Sequence, residues 1–237
     1  MITSLTNKTI KELIKLKQKK NRQNEYLIEG FHIVEMAIEK DVVELIITTD
    51  KHLKGENVIL VSEEVMAKLA FTPSPQPIMA KCKMIETTPN YNLERSLILD
   101  NVQDPGNVGT LIRSAIALGY EAVFLSHGSV DIYNDKVMRS MQGAHFNIPI
   151  HYIEIRECIK QLQSNGVEVI ATALENGQDI SNFSTSKNLA IVLGNEGSGM
   201  LQENIDLCDK IGYIPIQNIE SLNVGVAGGI MMYHFKK

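Results

Sequence analysis

The sequence has few features of a secreted, metal-binding or membrane protein. Cys82, Cys158 and Cys208 lie far apart, and an odd number without Cys-x-x-Cys spacing argues against a disulfide framework and a zinc site. No run of about 18 apolar residues occurs, as a membrane span would require. The first 20 residues lack the apolar core of a secretory signal. We therefore expect reduced thiols, no metal, no membrane association and a cytoplasmic location.

The chain also lacks the glycine patterns of common nucleotide-binding sites. Neither G-x-G-x-x-G nor G-K-[ST] occurs, which excludes the dinucleotide fingerprint and the P-loop. With 237 residues, 44% of them hydrophobic and 22% charged, the composition is that of an ordinary globular protein. This length suits one or two domains with a sizeable core.

Positive charge is concentrated at the start of the chain. The net charge is -5, yet the first 24 residues contain seven basic residues and one acidic residue. Thr9-x-x-Glu12 has the capping-box form and predicts an amphipathic first helix. A basic arm on an acidic body favours a polyanionic partner, and a solvated helix face is the open alternative. The candidate contact residues are Lys8, Lys11, Lys15, Lys19 and Arg22.

Residues 1–88 are predicted to form a small α/β domain. Strands are expected at 26–29, 42–49, 58–62 and 78–85, and helices at 31–38 and 63–70. Phe31, Val34 and Ile38 form the predicted apolar stripe of the second helix. The polar segment 87–92 is the predicted linker.

Residues 93–237 alternate strand and helix again. Strands are predicted at 97–101, 122–125, 167–172 and 189–193, and helices at 109–118, 136–142, 157–165 and 222–235. Nearly continuous apolar strands such as 189–193 are typical of a parallel sheet that is covered on both faces. Loops at the carboxyl ends of such strands commonly bind ligands.

Three such loops are rich in Gly, Asn or Pro. In the first, 101–115, a helix starting near Gly109 would let Asn107 and Arg113 both face the loop. Arginine suits a phosphate or a developing oxyanion, although a surface arginine remains possible. In the second, 191–200, Glu196 stands among three glycines. A carboxylate repels polyphosphate but tolerates a cation such as a sulfonium or an arginine.

The third loop, 214–230, precedes the last helix. Ser221 is the predicted N-cap of that helix. Gly225 and Gly229 lie four residues apart and leave one helix face almost without side chains. Another backbone, a ligand or a partner helix is expected to pack there. Asn223 is either functional or a plain surface amide.

Together these loops resemble the SpoU (TrmH-like) RNA ribose 2′-O-methyltransferases of the SPOUT superfamily. NVQDPGNVGTLIRSA is similar to the family's first motif, IVLGNEGSGM to its second and IPIQNIESLNVGVAGG to its third. The stretch containing IKELIKLKQKKNRQNEYLIEG resembles the accessory N-terminal domain of the L30e fold, which helps to hold RNA. Gly225 and Gly228 stand where members often have Ser or Ala, which leaves the packing of the last helix open.

The resemblance implies a fold, a cofactor and a site. The expected fold is a trefoil-knotted parallel-sheet methyltransferase domain at 93–237, with a smaller L30e-like α/β domain at 1–88. The expected cofactor is S-adenosylmethionine, and the expected assembly is a homodimer with the active site near the interface and the last helix taking part. Catalysis is assigned to Asn107, Arg113, Glu196, Ser221 and Asn223. Cofactor binding is assigned to Thr172, Leu193, Gly194, Ile214, Ile216 and Leu222.

The implied reaction is in-line attack of a ribose oxygen on a sulfonium methyl group. Because arginine stays protonated at any working pH, we expect Arg113 to stabilise the developing alkoxide rather than to remove the proton. Asn107 and Asn223 would orient groups, and Ser221 would anchor the loop or the substrate. Glu196 would position Arg113 or the substrate.

Ribosomal RNA of the large subunit (23S) is favoured over tRNA, because L30e-like modules bind structured RNA by shape and backbone. The alternatives are a tRNA ribose methyltransferase and a catalytically silent RNA-binding or ribosome-assembly protein of the same fold. A base methyltransferase of the superfamily is a further alternative, since fold does not fix function. A nucleotide-binding enzyme unrelated to RNA is disfavoured by the missing phosphate fingerprints.

Overall fold

The computed structural model describes residues 1–184 and 186–236, which form two compact units. The first comprises 1–86 with 133–138, and the second comprises 87–132 with the residues from 139 onward. The division after 86 lies next to the predicted linker. Segment 133–138 was expected in the second domain, yet it groups with the first unit, where the ring of Tyr133 lies 4.5 Å from that of buried Tyr26.

The first unit is a four-stranded sheet with three helices. The strands are β1 (Glu25–Glu29), β2 (Val43–Thr48), β3 (Val58–Leu60) and β4 (Ile78–Lys83). The helices are α1 (Lys8–Lys15), α2 (Phe31–Glu39) and α3 (Glu63–Leu69). The strand order is β1-β4-β2-β3, and only β2 and β3 run parallel to each other. Ile10, Leu13 and Met66 belong to its apolar core.

Two local predictions in this unit are wrong. Asn7, not Thr9, caps α1, because its side chain accepts hydrogen bonds from the amides of Thr9 and Ile10. In α2, Phe31 and Ile38 are each 51% exposed. Val34 is buried as predicted, and Ala37, three residues further on and therefore on the same side of the helix, completes the buried face of α2.

The second unit is built on a seven-stranded parallel sheet. Its strands are β5 (Arg95–Leu99), β6 (Ala122–Leu125), β7 (Ile150–Tyr152), β8 (Glu168–Thr172), β9 (Gln178–Asp179), β10 (Leu189–Leu193) and β11 (Lys210–Tyr213). Its helices are α4 (Pro105–Ala117), α5 (Asp135–Met141, which begins within segment 133–138), α6 (Ile155–Ser164), α7 (Gln202–Ile205) and α8 (Val224–His234). The strand order is β7-β6-β5-β10-β8-β11-β9, with every pairing parallel. The α/β parallel-sheet class is thus confirmed, whereas the trefoil knot stays a prediction.

The sheet order brings the three motif loops together. Every residue of β5, β6 and β10 is buried, as the continuous apolar strands predicted. Strands β5, β10, β8 and β11 are neighbours, so their carboxyl ends meet at one edge of the sheet. Within the described ranges, no helix is long and apolar enough to cross a membrane.

Candidate active site

A cavity of about 670 Å³ opens at the carboxyl edge of the second unit's sheet, within the usual range for small-molecule sites. It lies among the loops that follow β8, β10 and β11 and the start of α8. All six residues assigned to the cofactor line it: Thr172, Leu193, Gly194, Ile214, Ile216 and Leu222. Glu196, Ser221 and Asn223 also line it, whereas Asn107 and Arg113 do not.

The lining suits an uncharged ring system joined to a cation. Leucine, isoleucine and methionine side chains supply apolar walls, among them Met200 and Met231. Of the described residues that line the cavity, the only charged ones are Glu175 and Glu196, both acidic. Polyphosphate would be repelled there, while a sulfonium or ammonium group is attracted. The residues therefore fit S-adenosylmethionine, in which an adenosine is joined to a sulfonium, an ammonium and a carboxylate, so that the net charge is positive.

Asn195 organises the glycine-rich loop after β10. Its backbone exchanges two hydrogen bonds of 3.0 Å with Gly199, which closes the loop. Its side-chain oxygen accepts from the amides of Gly197 and Ser198 at 2.9 and 3.1 Å, and its side-chain nitrogen donates to the Asn101 carbonyl at 2.8 Å. A Cβ on Gly194 would lie 2.4 Å from the Met200 amide nitrogen, so only glycine fits where the loop folds back.

Glu196 binds the residues at the start of α4. Its carboxylate accepts from the amides of Gln103 and Asp104 at 3.3 and 3.1 Å and from Asn107 Nδ2 at 3.0 Å. Burial raises the pKa of Glu196, but the hydrogen bonds from Asn107 and the backbone amides outweigh it, so the net pKa lies below its ordinary value. The expected contact with Arg113 is absent from the described residues, because α4's own first turn occupies the carboxylate.

Asn107 and Asn223 continue this contact from α4 to α8. Asn107 Oδ1 accepts from Asn223 Nδ2 at 3.0 Å. Asn223 Oδ1 accepts from the amides of Gly225 and Val226 and so caps α8. Ser221 was the predicted cap and lies outside the helix, which begins two residues later than expected. We call the linked side chains of Glu196, Asn107 and Asn223 the amide chain; it joins all three motifs.

Arg113 stands apart from the amide chain. Helix α4 begins at Pro105, four residues earlier than predicted, because Asp104 caps it by accepting from the Asn107 amide at 2.8 Å. Asn107 and Arg113 are then both helical, about 120° apart around the axis and about 9 Å apart along it. They therefore face different directions. The Arg113 side chain is exposed, and it makes no hydrogen bond or ion pair within the part of the chain that the structure describes.

Ser221, like Arg113, has a side chain without a hydrogen-bond partner in the described part of the chain. It is exposed and lines the cavity. Its hydroxyl has no hydrogen-bond partner among residues 1–184 and 186–236. It is therefore available to a ligand, whereas the Thr172 hydroxyl already donates to the Val192 carbonyl at 2.8 Å.

Gly228 explains the close packing of α8. A Cβ there would lie 2.3 Å from Leu111 Cδ2 on α4 and 2.5 Å from Leu193 Cδ1 on β10. A Cβ on Gly225 would lie 3.3 Å from Asn107 Oδ1, while one on Gly229 would meet no atom of residues 1–184 and 186–236 within 4 Å. The packed pair is thus Gly225 and Gly228, not Gly225 and Gly229 as predicted.

The basic arm of the first unit contains exposed lysines and side chains that hydrogen-bond to its own backbone. Lys8, Lys11, Lys15 and Lys19 are exposed, as a nucleic-acid contact requires. Arg22 instead donates to the carbonyls of Leu16 and Lys17 at 2.8 and 3.2 Å and secures the turn after α1. Lys17 donates to the Ala70 carbonyl at 2.7 Å, and burial lowers its pKa. Spacing alone does not separate these two kinds of residue.

Comparison with known proteins covers both units. The family model described as the SpoU rRNA Methylase family matches residues 94–233, and the MRM3-like substrate binding domain matches residues 7–80. A Bacillus subtilis relative, 23S rRNA (guanosine(2553)-2'-O)-methyltransferase RlmP, is 37% identical across 99% of this chain and 98% of its own. A relative from Synechocystis, an uncharacterized tRNA/rRNA methyltransferase, is 31% identical across 100% and 93%.

A solved structure shows the same architecture with the expected cofactor. The AdoMet-bound rRNA methyltransferase from Sinorhizobium meliloti superimposes with a TM-score of 0.89 at 28% identity, covering 98% of this chain and 95% of that one. The enzyme class that the three motifs imply, an S-adenosylmethionine-dependent RNA 2′-O-methyltransferase, is thereby confirmed. The chain belongs to the SpoU rRNA methylase family.

Proposed function

We propose that this protein methylates the ribose 2′-hydroxyl of a guanosine in 23S ribosomal RNA. The observation that carries the proposal is the match to the Bacillus subtilis relative, which extends over both units and nearly the whole of each chain. The substrate-binding unit is included in that match, and it is the part most concerned with the choice of RNA. We place the protein in the cytoplasm, with ribosomal RNA favoured over tRNA.

The catalytic assignment gives Arg113 the central role. S-adenosylmethionine supplies a methyl group that its sulfonium already activates. The guanidinium of Arg113 stabilises the alkoxide that develops on the ribose, since preorganised donors at a developing charge are strong catalytic devices. The hydroxyl proton passes to a nearby RNA phosphate as the methyl group is transferred. Ser221, at the cavity wall, anchors the substrate. The amide chain fixes α4, which carries Arg113, against α8 and the cavity.

The first unit holds the RNA backbone. Lys8, Lys11, Lys15 and Lys19 contact phosphates, which gives affinity without sequence specificity and makes binding fall with rising salt. Arg22 was predicted to share this role, but its bonds to the carbonyls of Leu16 and Lys17 support a structural one. We therefore assign RNA contact to the four lysines.

We propose that two copies pair through the outer face of α8. Val226, Ile230 and Tyr233 are 52%, 40% and 62% exposed there, an apolar strip that a partner would cover. Because Arg113 lies outside the cavity of its own chain, we place it at the cavity of the second copy. Light scattering should report a dimer, and Tyr233→Asp should shift it toward monomer; a monomeric wild type would refute this assembly.

Methyl transfer from labelled S-adenosylmethionine tests the substrate. Purified protein is incubated separately with unmodified 23S RNA and unmodified tRNA, and the RNA is digested to nucleosides. Label in 2′-O-methylguanosine from 23S RNA, absent with Arg113→Ala, is the expected result. Label in tRNA alone, in another ribose or on a base would each contradict the proposal. Cofactor binding without transfer to either RNA would point to a more demanding substrate such as an assembly intermediate, and no cofactor binding at all would favour the silent binding protein.

A further inference from the structure

The cavity has two carboxylates, and they differ in what they bind. Glu196 is held by three donors at and just before the start of α4, and one of them, Asn107, belongs to the amide chain. Its charge remains, but three of its about four acceptor sites are therefore occupied by the protein. The other acidic residue of the lining, Glu175, is the carboxylate whose acceptor sites remain open to a bound cation.

Glu175 lies in the loop that follows β8. This loop lines the cavity from Thr172 to Asn176, and it turns at Asn176, whose φ is 57°. Glu175 is exposed at the cavity mouth. Across residues 1–184 and 186–236 its carboxylate has no hydrogen-bond or ion-pair partner.

We propose that Glu175 binds the α-ammonium group of S-adenosylmethionine. An ammonium presents three N–H donors, so a carboxylate binds it through charge-assisted hydrogen bonds, whereas a sulfonium has no donor. Glu175 also stands at the exposed rim, where the free end of the ligand's amino-acid portion is best accommodated. With no lysine or arginine among the described lining residues, nothing competes for this carboxylate. The inference rests on the assigned cofactor site.

Three ligands separate the contributions by direct binding. S-adenosylmethionine has both cationic groups, S-adenosylhomocysteine keeps only the ammonium, and 5′-methylthioadenosine has neither. Each is titrated calorimetrically against the wild type, Glu175→Gln and Glu220→Gln. Glu220 is an exposed acidic residue outside the cavity lining, so it controls for the general loss of one negative charge.

Glu175→Gln should weaken both S-adenosylmethionine and S-adenosylhomocysteine by about 2- to 5-fold, as expected for a partly exposed ion pair. The affinity for 5′-methylthioadenosine should stay unchanged, and Glu220→Gln should alter none of the three. The weakening should shrink as salt rises.

Other results overturn the proposal. If Glu175→Gln binds S-adenosylmethionine with unchanged affinity, Glu175 does not pair with the ammonium. If the variant loses affinity for S-adenosylmethionine alone, Glu175 contacts the sulfonium instead. An equal loss for 5′-methylthioadenosine means that the substitution only distorts the loop. If the wild type binds none of the three ligands, the cofactor site itself is wrong, which is a distinct outcome.

Discussion

The residues assigned to the candidate active site fall into two groups that differ in where their partners lie. Glu196 binds Asn107, Asn107 binds Asn223, and Asn223 also caps α8. Arg113 and Ser221 have exposed side chains without partners in the described chain. The first group is assembled by folding, and it holds the loops and helices in place. The second group is left for something outside the chain, the RNA or a second copy.

Removing Arg113 should separate function from folding most strongly. Arg113→Ala should lower kcat by about 100-fold or more, because one donor at a developing oxyanion contributes that much. The melting temperature should be unchanged, since exposed side chains without partners contribute little to stability. Turnover and thermal unfolding are measured on one preparation. Arg113→Lys keeps the positive charge but lacks the planar, forked N–H donors of the guanidinium. Wild-type turnover in that variant would contradict the assigned role.

Glu196→Gln should affect function and folding together. The glutamine has one acceptor and one donor, so it cannot accept from both backbone amides and Asn107 as the carboxylate does. If its amide faces Asn107, the asparagine must turn, and Asn223 then loses its acceptor or its cap. We expect a loss of about 1 kcal/mol in stability and about tenfold in turnover. Full stability with tenfold lower turnover would mean that Glu196 contacts substrate.

The stability difference between the wild type and Glu196→Gln should depend on pH. The folded pKa of Glu196 is lowered, so its contribution to stability is present above its ordinary pKa of 4.5 and is lost as pH falls through the folded value. The difference in unfolding free energy between wild type and Glu196→Gln should be constant above about pH 5 and shrink below it. A difference that grows on acidification would have the wrong sign for this account.

Two neighbouring glycines test how tightly α8 is held. Gly228→Ala places a Cβ against Leu111 and Leu193 and should cost about 1–3 kcal/mol by overpacking. The Cβ of Gly229→Ala meets no atom of the described residues within 4 Å, so the substitution should leave the unfolding free energy unchanged or raise it by up to about 1 kcal/mol. Denaturant titration measures both. Equal destabilisation by the two substitutions would show that α8 tolerates no added side chain at either position, so that the contacts with Leu111 and Leu193 would not explain the effect.

The basic arm offers the smallest effect and repeats the contrast in the first unit. Lys11→Gln and Lys15→Gln together should weaken RNA binding a few-fold and reduce the dependence of log affinity on log salt by about 2, without loss of stability. Lys17→Gln, which removes a donor to the Ala70 carbonyl, should lower stability and leave the salt dependence nearly unchanged. If Lys17→Gln reduced the salt dependence and the Lys11 and Lys15 substitutions lowered stability, Lys17 would be the RNA contact and the other two lysines would be structural.

The sequence predicts the sheet and the motif loops better than the contacts among them. Apolar runs such as Leu189–Leu193 identify the buried strands. Short strands cannot be predicted from apolar runs. Strand β11 contains Lys210 and Gly212, and its pairing with β8 and β9 makes it a strand. The helix starts at 105 and 224 depend on side-chain caps, and several Asp, Asn and Ser residues near each start are equally plausible candidates.

The contacts that the sequence does not predict join residues that are far apart in the chain. Glu196 lies nearly 90 residues from Asn107 in the chain, and only the parallel pairing of β5 and β10 brings their loops together. The role of Asn195 could be suspected from its place between Gly194 and Glu196, but its bond to Asn101 depends on that same pairing. Spacing identifies candidate residues, and three-dimensional structure decides what they bind.

A heterodimer tests most directly whether Arg113 completes the site of another copy. Arg113→Ala chains and Leu222→Arg chains, the latter with a cation in the cofactor cavity, are co-expressed with different tags and purified by both. If Arg113 acts in the partner's cavity, one of the two sites is intact and the dimer should show about half of wild-type turnover. If Arg113 acts in its own chain's cavity, both sites are defective, and a heterodimer as inactive as either parent would contradict the account.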